Sequence, residues 1–126
     1  MKLVVPVILL VGLLGACGGR SDSEPAPGTG TGTAEGPAGA QTFTISGTDA
    51  DAYDPATVQA KVGQLTLSLH NGGVPHNLMF DDKALKGIPV VSGSATKSTV
   101  LTFDRLGTYT FECTLHPGMT GRVVVS

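Results

Sequence analysis

The stretch LGTYTFECTLHPGMTGRVVV, residues 106–125 of a 126-residue chain, alternates apolar and polar residues on either side of a short loop. In Thr108–Cys113, Tyr109, Phe111 and Cys113 fall on one face and Thr108, Thr110 and Glu112 on the other, the period of a half-buried strand. Gly121–Val125 reads as a second strand. The thiol of Cys113 therefore points into the core at the end of its strand, and the loop that follows delivers His116 and Met119 beside it. Pro117 restricts His116 to extended backbone and removes a donor, while Gly118 permits angles closed to other residues. Such a loop is short and stiff.

Working outward, the same alternation recurs. Phe43 and Ile45 alternate with Thr42, Thr44 and Ser46; Val58, Ala60 and Val62 with Thr57, Gln59 and Lys61. After a turn at Gly63, Leu65, Leu67 and Leu69 alternate with Thr66, Ser68 and His70. His76–Phe80, Ile88–Val91 and Ser98–Phe103 are further strand candidates, separated by Gly, Pro, Asn and Asp turns. No segment shows a sustained 3.6-residue apolar period, and Asp81–Lys86 has room for one helical turn at most. Short strands following one another predict an all-β fold, an antiparallel sandwich or small barrel of about seven to eight strands, over residues 41–126.

The other end of the chain is of a different kind. Residues 1–16, MKLVVPVILLVGLLGA, carry one charge at Lys2, then an apolar run, then small residues, the layout of a secretory signal. The run ends in Leu14-Gly15-Ala16-Cys17, which resembles the lipobox of bacterial lipoproteins, so that Cys17 becomes the lipidated first residue of the mature protein. An ordinary signal peptide cleaved near Ala16 would instead leave a free exported thiol, exposed to oxidation. Residues 17–40 are almost wholly Gly, Pro, Ser, Thr and Ala, which predicts a flexible tether between anchor and domain. A net charge of -2, from eight Lys and Arg against ten Asp and Glu, gives no basic stripe and excludes nucleic acid as a partner.

Thiolate, imidazole and thioether together make the ligand set of a blue-copper centre, which needs a second His to complete a trigonal plane. His70 falls on the polar face of its strand, opposite the leucines. His76 follows the turn Asn71-Gly72-Gly73-Val74-Pro75 and opens a strand at the same end of the domain as the cluster, and is the better candidate. Met79 has the parity opposite to His76, and Glu112 the parity opposite to Cys113, so neither faces the site.

Residues 41–126 resemble a cupredoxin of the plastocyanin, amicyanin and pseudoazurin group, with a Greek-key β-sandwich fold. NGGVPHNLMFDD at 71–82 matches the segment around that group's first ligand His, and 106–125 matches its Cys, His and Met segment; C-x-x-H-x-x-M has the short spacing of amicyanins. The resemblance implies one type 1 copper ion held by His76, Cys113, His116 and Met119, with Asn77, next to the first ligand, hydrogen-bonding across to the Cys-bearing loop and steadying it. Tyr109, after Asp104 and Gly107, resembles the tyrosine corner of Greek-key sandwiches.

Zinc would accept the thiol and imidazoles, but a thioether is a poor zinc ligand. Haem attachment needs a second Cys in C-x-x-C-H, and a Cys–His hydrolytic pair needs an accessible thiolate. A buried core thiol and a packing methionine account for Cys113 and Met119 taken singly; four ligands arriving together on one scaffold weigh against that. Two functional classes follow. One is a monomeric one-electron shuttle without substrate chemistry, docking redox proteins near His116 and anchored to a bacterial membrane through Cys17, with its domain in the periplasm or on the extracytoplasmic face. The other is a carrier that delivers copper to another exported protein.

Overall fold

The computed structural model describes residues 29–126; the signal segment, Cys17 and the first part of the tether lie outside the described residues. The described residues form eight strands: β1 (Thr31–Thr33), β2 (Gln41–Gly47), β3 (Tyr53–Asp54), β4 (Thr57–Ala60), β5 (Gly63–Phe80), β6 (Ile88–Phe103), β7 (Gly107–Glu112) and β8 (Thr120–Val125). They hydrogen-bond in the order β1-β4-β8-β7-β5-β2-β3, with β6 on β5. The sheet curls so that β3, β2, β5 and β6 face β1, β4, β8 and β7 across a shared core. This is an all-β sandwich of eight strands.

The alternating leucines explain the centre of the sheet. Leu65, Leu67 and Leu69 are fully buried, while His70 on the opposite face is exposed. Each such side chain contributes about 1.5–3 kcal/mol on burial. Ile45, Val58, Leu78, Leu101, Val123 and Phe111 join them. Phe111 meets the edges of Tyr53 and Phe80, with ring centroids 5.0 Å and 5.5 Å away, the edge-to-face geometry aromatic rings prefer. Tyr109 donates its hydroxyl hydrogen to the Arg105 carbonyl at 2.9 Å, fastening the turn before β7 as a tyrosine corner does.

Three expectations need correction. The sheet is mixed, because β2 pairs with β5, β4 with β8 and β1 with β4 in parallel. Period-2 alternation is the same whichever way a neighbouring strand runs, so it carried no information about direction. Secondly, the segments at 65–70 and 76–80 are one strand. Asn71, Gly72 and Gly73 remain paired with Ala95, Ser94 and Gly93 of β6, and register shifts on both sides of His76 let β5 swerve without ending. Its last residues, Met79 and Phe80, pair with β7 instead, so β5 joins the two halves of the sheet.

The third concerns the tether, which does not extend to residue 40. Thr31–Thr33 pair with Thr57–Gln59, the Ala34 N–H donates to the Gln59 carbonyl at 2.8 Å, and Glu35 and Thr42 exchange backbone bonds at 3.0 and 2.8 Å. Composition measures what side chains bury, whereas this segment is held by its main chain. It covers the edge that β4 would otherwise present to solvent. A chain beginning at Gln41 is therefore expected to unfold at lower urea than one beginning at Thr29, by about 1–3 kcal/mol for the lost bonds; equal midpoints by circular dichroism would refute the stapling role of β1.

Candidate metal centre

Cys113 follows β7 and is 2% exposed. The loop after it closes on itself: the Cys113 N–H donates to the Met119 carbonyl at 2.9 Å, His116 N–H to the Cys113 carbonyl at 3.4 Å, and Met119 N–H to the His116 carbonyl at 3.0 Å. Gly118 sits at φ 88°, a left-handed angle that keeps the loop this short. Met119, at the loop's end, is 1% exposed.

From the other side, the bulge in β5 presents His76, which is fully buried. Its Nε2–H donates to the Thr48 carbonyl at 2.8 Å. The imidazole is thereby turned so that Nδ1 is bare, and this nitrogen has no hydrogen-bond partner. A buried polar atom left unpaired costs about 1–3 kcal/mol. One ligand atom each from His76, Cys113 and His116 lie within 4.8 Å of one another, and the two imidazole rings stand edge to face with centroids 4.9 Å apart. A metal ion would satisfy the bare Nδ1 of His76 and the Cys113 thiol together, and at His116 it would take the place of one of two oxygen contacts, since Nε2 lies 3.0 Å from the Pro75 carbonyl and Nδ1 3.4 Å from the Asp51 carboxylate.

Asn77 locks the two halves of the site together. Its Nδ2 donates to Thr114 Oγ1 at 2.8 Å and its Oδ1 accepts from the Thr114 N–H at 2.8 Å. The Asn77 backbone N–H points at Cys113 Sγ from 3.5 Å, so the sulfur has a main-chain donor on the β5 side. Behind it, the Tyr53 hydroxyl donates to the Asn77 carbonyl at 2.5 Å. Burial above all, then the neighbouring charges of Cys113 and Glu112, pushes the Tyr53 hydroxyl far above the ordinary phenol range, so it stays a neutral donor.

Met79 is half-buried and Glu112 exposed, while His70 shares a hydrogen bond with Thr96 Oγ1 at 2.8 Å. Neither Glu112 nor His70 belongs to the cluster, and the Met79 sulfur lies against Gly87. Five residues of the site escaped the sequence reading: Gly47, Thr48, Tyr53, Thr114, and Asp51, whose carboxylate lies 3.4 Å from His116 Nδ1. Gly47 left a trace, since glycine inside a strand often marks a close approach of another group. A Cβ there would stand 2.5 Å from His76 Cδ2 and 3.0 Å from Cγ. Thr48 acts through its carbonyl, which any residue supplies, and left none.

One thiol, two imidazoles and a thioether, all sealed from solvent except one edge of His116, at one end of a curled β-sandwich define a cupredoxin with a type 1 copper site, because soft sulfur with imidazole suits copper. The model of the copper binding proteins, plastocyanin/azurin family, matches residues 40–126, and the chain belongs to that family. It is 37% identical over 78 residues to amicyanin from Paracoccus denitrificans, covering 58% of this chain and 57% of that protein. Plastocyanin from Ginkgo biloba is 33% identical over 87 residues, which cover 60% of this chain and 88% of that one. Among solved structures, a reduced Cu(I) form of an amicyanin variant aligns with TM-score 0.56 and 29% identity over 68% of this chain and 82% of that one. The metal binding domain of the Cu(I) exporting P-type ATPase from Streptococcus pneumoniae shares the fold, with TM-score 0.65 at 20% identity over 78% of this chain and 97% of that one. His76, Cys113, His116 and Met119 are the copper site, as in amicyanin.

Replacing Gly47 by Ala pushes a methyl group into the His76 ring. The Gly47→Ala protein is expected to keep its far-ultraviolet spectrum, lose about 1–3 kcal/mol of stability, and bind copper at least about tenfold more weakly. Unchanged copper affinity in a competition titration would show that the ring has room to move.

Proposed function

We propose that the chain is a membrane-anchored blue copper protein carrying single electrons between exported or membrane redox partners. The observation that carries this reading is the convergence of His76, Cys113 and His116 to within 4.8 Å, held by hydrogen bonds that need no metal. Copper bound there supplies a one-electron couple between Cu(I) and Cu(II). The chain's own residues keep the ligands fixed. Thr48 holds His76, Asn77 and Thr114 hold the Cys113 loop, and the loop's internal bonds hold His116. A site that has little to rearrange suits fast exchange of an electron.

Access is confined to one ligand. The His116 side chain is 21% exposed, whereas His76, Cys113 and Met119 are sealed. Around it stand exposed Pro75, Leu115 and Pro117, a small uncharged rim suited to brief docking with a redox protein. The reading is of a carrier rather than an enzyme, because nucleophilic chemistry would need Cys113 within reach of a substrate. Delivery of copper to another protein calls for several exchangeable Met and His ligands, and His70 lies off the cluster while the Met79 sulfur lies against Gly87. Lys2, the apolar run and Leu14-Gly15-Ala16-Cys17 support export and lipid anchoring, with the domain in the periplasm or on the extracytoplasmic face of a bacterial membrane. More than one acyl chain on Cys17 gives stable attachment where a single chain is marginal.

Copper(II) added to the protein is expected to produce an intense thiolate-to-copper visible band and narrow hyperfine splitting in electron paramagnetic resonance, both lost in Cys113→Ser. A colourless wild-type protein would sink the reading. Reversible redox cycling with negligible loss of copper to a chelator separates carrier of electrons from carrier of copper. Cys17→Ser is expected to move the protein from the membrane fraction to the soluble fraction of expressing cells; retention on membranes would exclude the lipid anchor.

A further inference from the structure

The turn between β2 and β3 touches both histidines. Its Thr48 carbonyl holds His76, and its Asp51 carboxylate lies 3.4 Å from His116 Nδ1. Several contacts make this turn rigid. The Thr48 N–H donates to the Ala52 carbonyl at 2.9 Å, the Thr48 hydroxyl donates to the same oxygen at 3.1 Å, and the Asp51 N–H donates to the Thr48 carbonyl at 3.1 Å. Asp49 pins the turn to β5 by accepting from the Val74 N–H at 3.2 Å. Asp51 itself sits at φ 57°, the one non-glycine residue with positive φ among the described residues. A side chain held in the left-handed region costs of order 1–3 kcal/mol and persists where its surroundings over-determine it.

His116 explains what the carboxylate is for. Its Nε2 lies 3.0 Å from the Pro75 carbonyl, and its Nδ1 faces Asp51. Both ring nitrogens thus look at oxygen acceptors, yet a neutral imidazole has a single N–H to give. Copper held by this cluster would bring positive charge close to the carboxylate.

We propose that Asp51 is a positioning residue of the copper centre that also sets its redox balance: its carboxylate steadies the His116 ring and favours the oxidised over the reduced ion. This rests on the copper-carrier reading above. The sign follows from charge. One electron from a partner converts Cu(II) to Cu(I) and removes one unit of positive charge, so the attraction to a fixed carboxylate weakens on reduction. Asp51 therefore lowers the reduction potential. Its side chain is 53% exposed, so the effect is partly screened and shrinks as salt is raised.

The test compares full-length wild type with Asp51→Asn, Asp51→Glu and Asp104→Asn, the last at the far end of the domain beyond β6. Protein-film voltammetry at low and high salt reads the potential. Asp51→Asn is expected to shift the Cu(I) to Cu(II) affinity ratio toward Cu(I) by about threefold to tenfold at low salt, up to about 59 mV upward for a one-electron couple. The shift is smaller at high salt, largely reversed in Asp51→Glu, and absent in Asp104→Asn. A potential unmoved in Asp51→Asn, or moved equally in Asp104→Asn, overturns the proposal. Nuclear magnetic resonance of the His116 ring in the metal-free proteins gives a readout independent of copper: Asp51→Asn is expected to change the ring resonances, and identical spectra count against the contact. If wild type shows no blue-copper band, the functional reading fails while the ring measurement still decides the role of Asp51.

Discussion

One hydrogen bond, from His76 Nε2 to the Thr48 carbonyl, decides which nitrogen of a wholly buried imidazole is left bare. Everything at the metal end depends on that choice. With Nε2 engaged, Nδ1 faces Cys113 and His116; with the ring reversed, the free nitrogen would look into the turn and the cluster would lack a member. The bond requires the chain of β2 to pass against the ring, and only a residue without a Cβ at position 47 allows the approach. A main-chain carbonyl and a missing methyl group thus carry as much of the site as the ligands themselves.

The same logic governs β5. An uninterrupted strand would carry its side chains in strict alternation, but the register shifts around His76 re-aim His76, Asn77 and Leu78, all three of which are buried. Of the two successive buried polar residues, Asn77 is paired with Thr114 and Tyr53, whereas His76 is paired with Thr48 through Nε2 alone and keeps Nδ1 for the metal. Bulges of this kind commonly accompany functional sites. The strand is therefore the spine of the sandwich and the platform of its metal centre together.

Much of this was legible in residue order. Side-chain alternation in Thr108–Cys113 and Leu65–Leu69 gave the strands and their inward faces, and C-x-x-H-x-x-M gave three ligands, because both depend on which side chain occurs where. Strand direction, the continuity of β5 through Asn71–Gly73, and the pairing of Thr31–Thr33 were not legible. Each is made by main-chain groups that every residue carries, and glycine and proline around a bulge look the same as glycine and proline around a turn. Asp51 was hidden for a related reason. It lies about 65 residues from His116 in the chain, and acidic residues in a turn have no periodicity to betray a partner.

The direction of β1 has a practical consequence. Thr31 is in register with Thr57, and Thr57 with Arg122, which comes three residues after Met119; the chain thus enters the sheet near its copper-bearing pole, about 10 Å along the strand direction. Ser126 lies at the opposite pole, its N–H bonded to the Ala60 carbonyl at 3.1 Å. Immobilising the protein on an electrode through residues ahead of β1 would turn His116 toward the conductor, whereas coupling through Ser126 would turn it toward solution. The two ends of one small domain are in effect opposite electrical terminals.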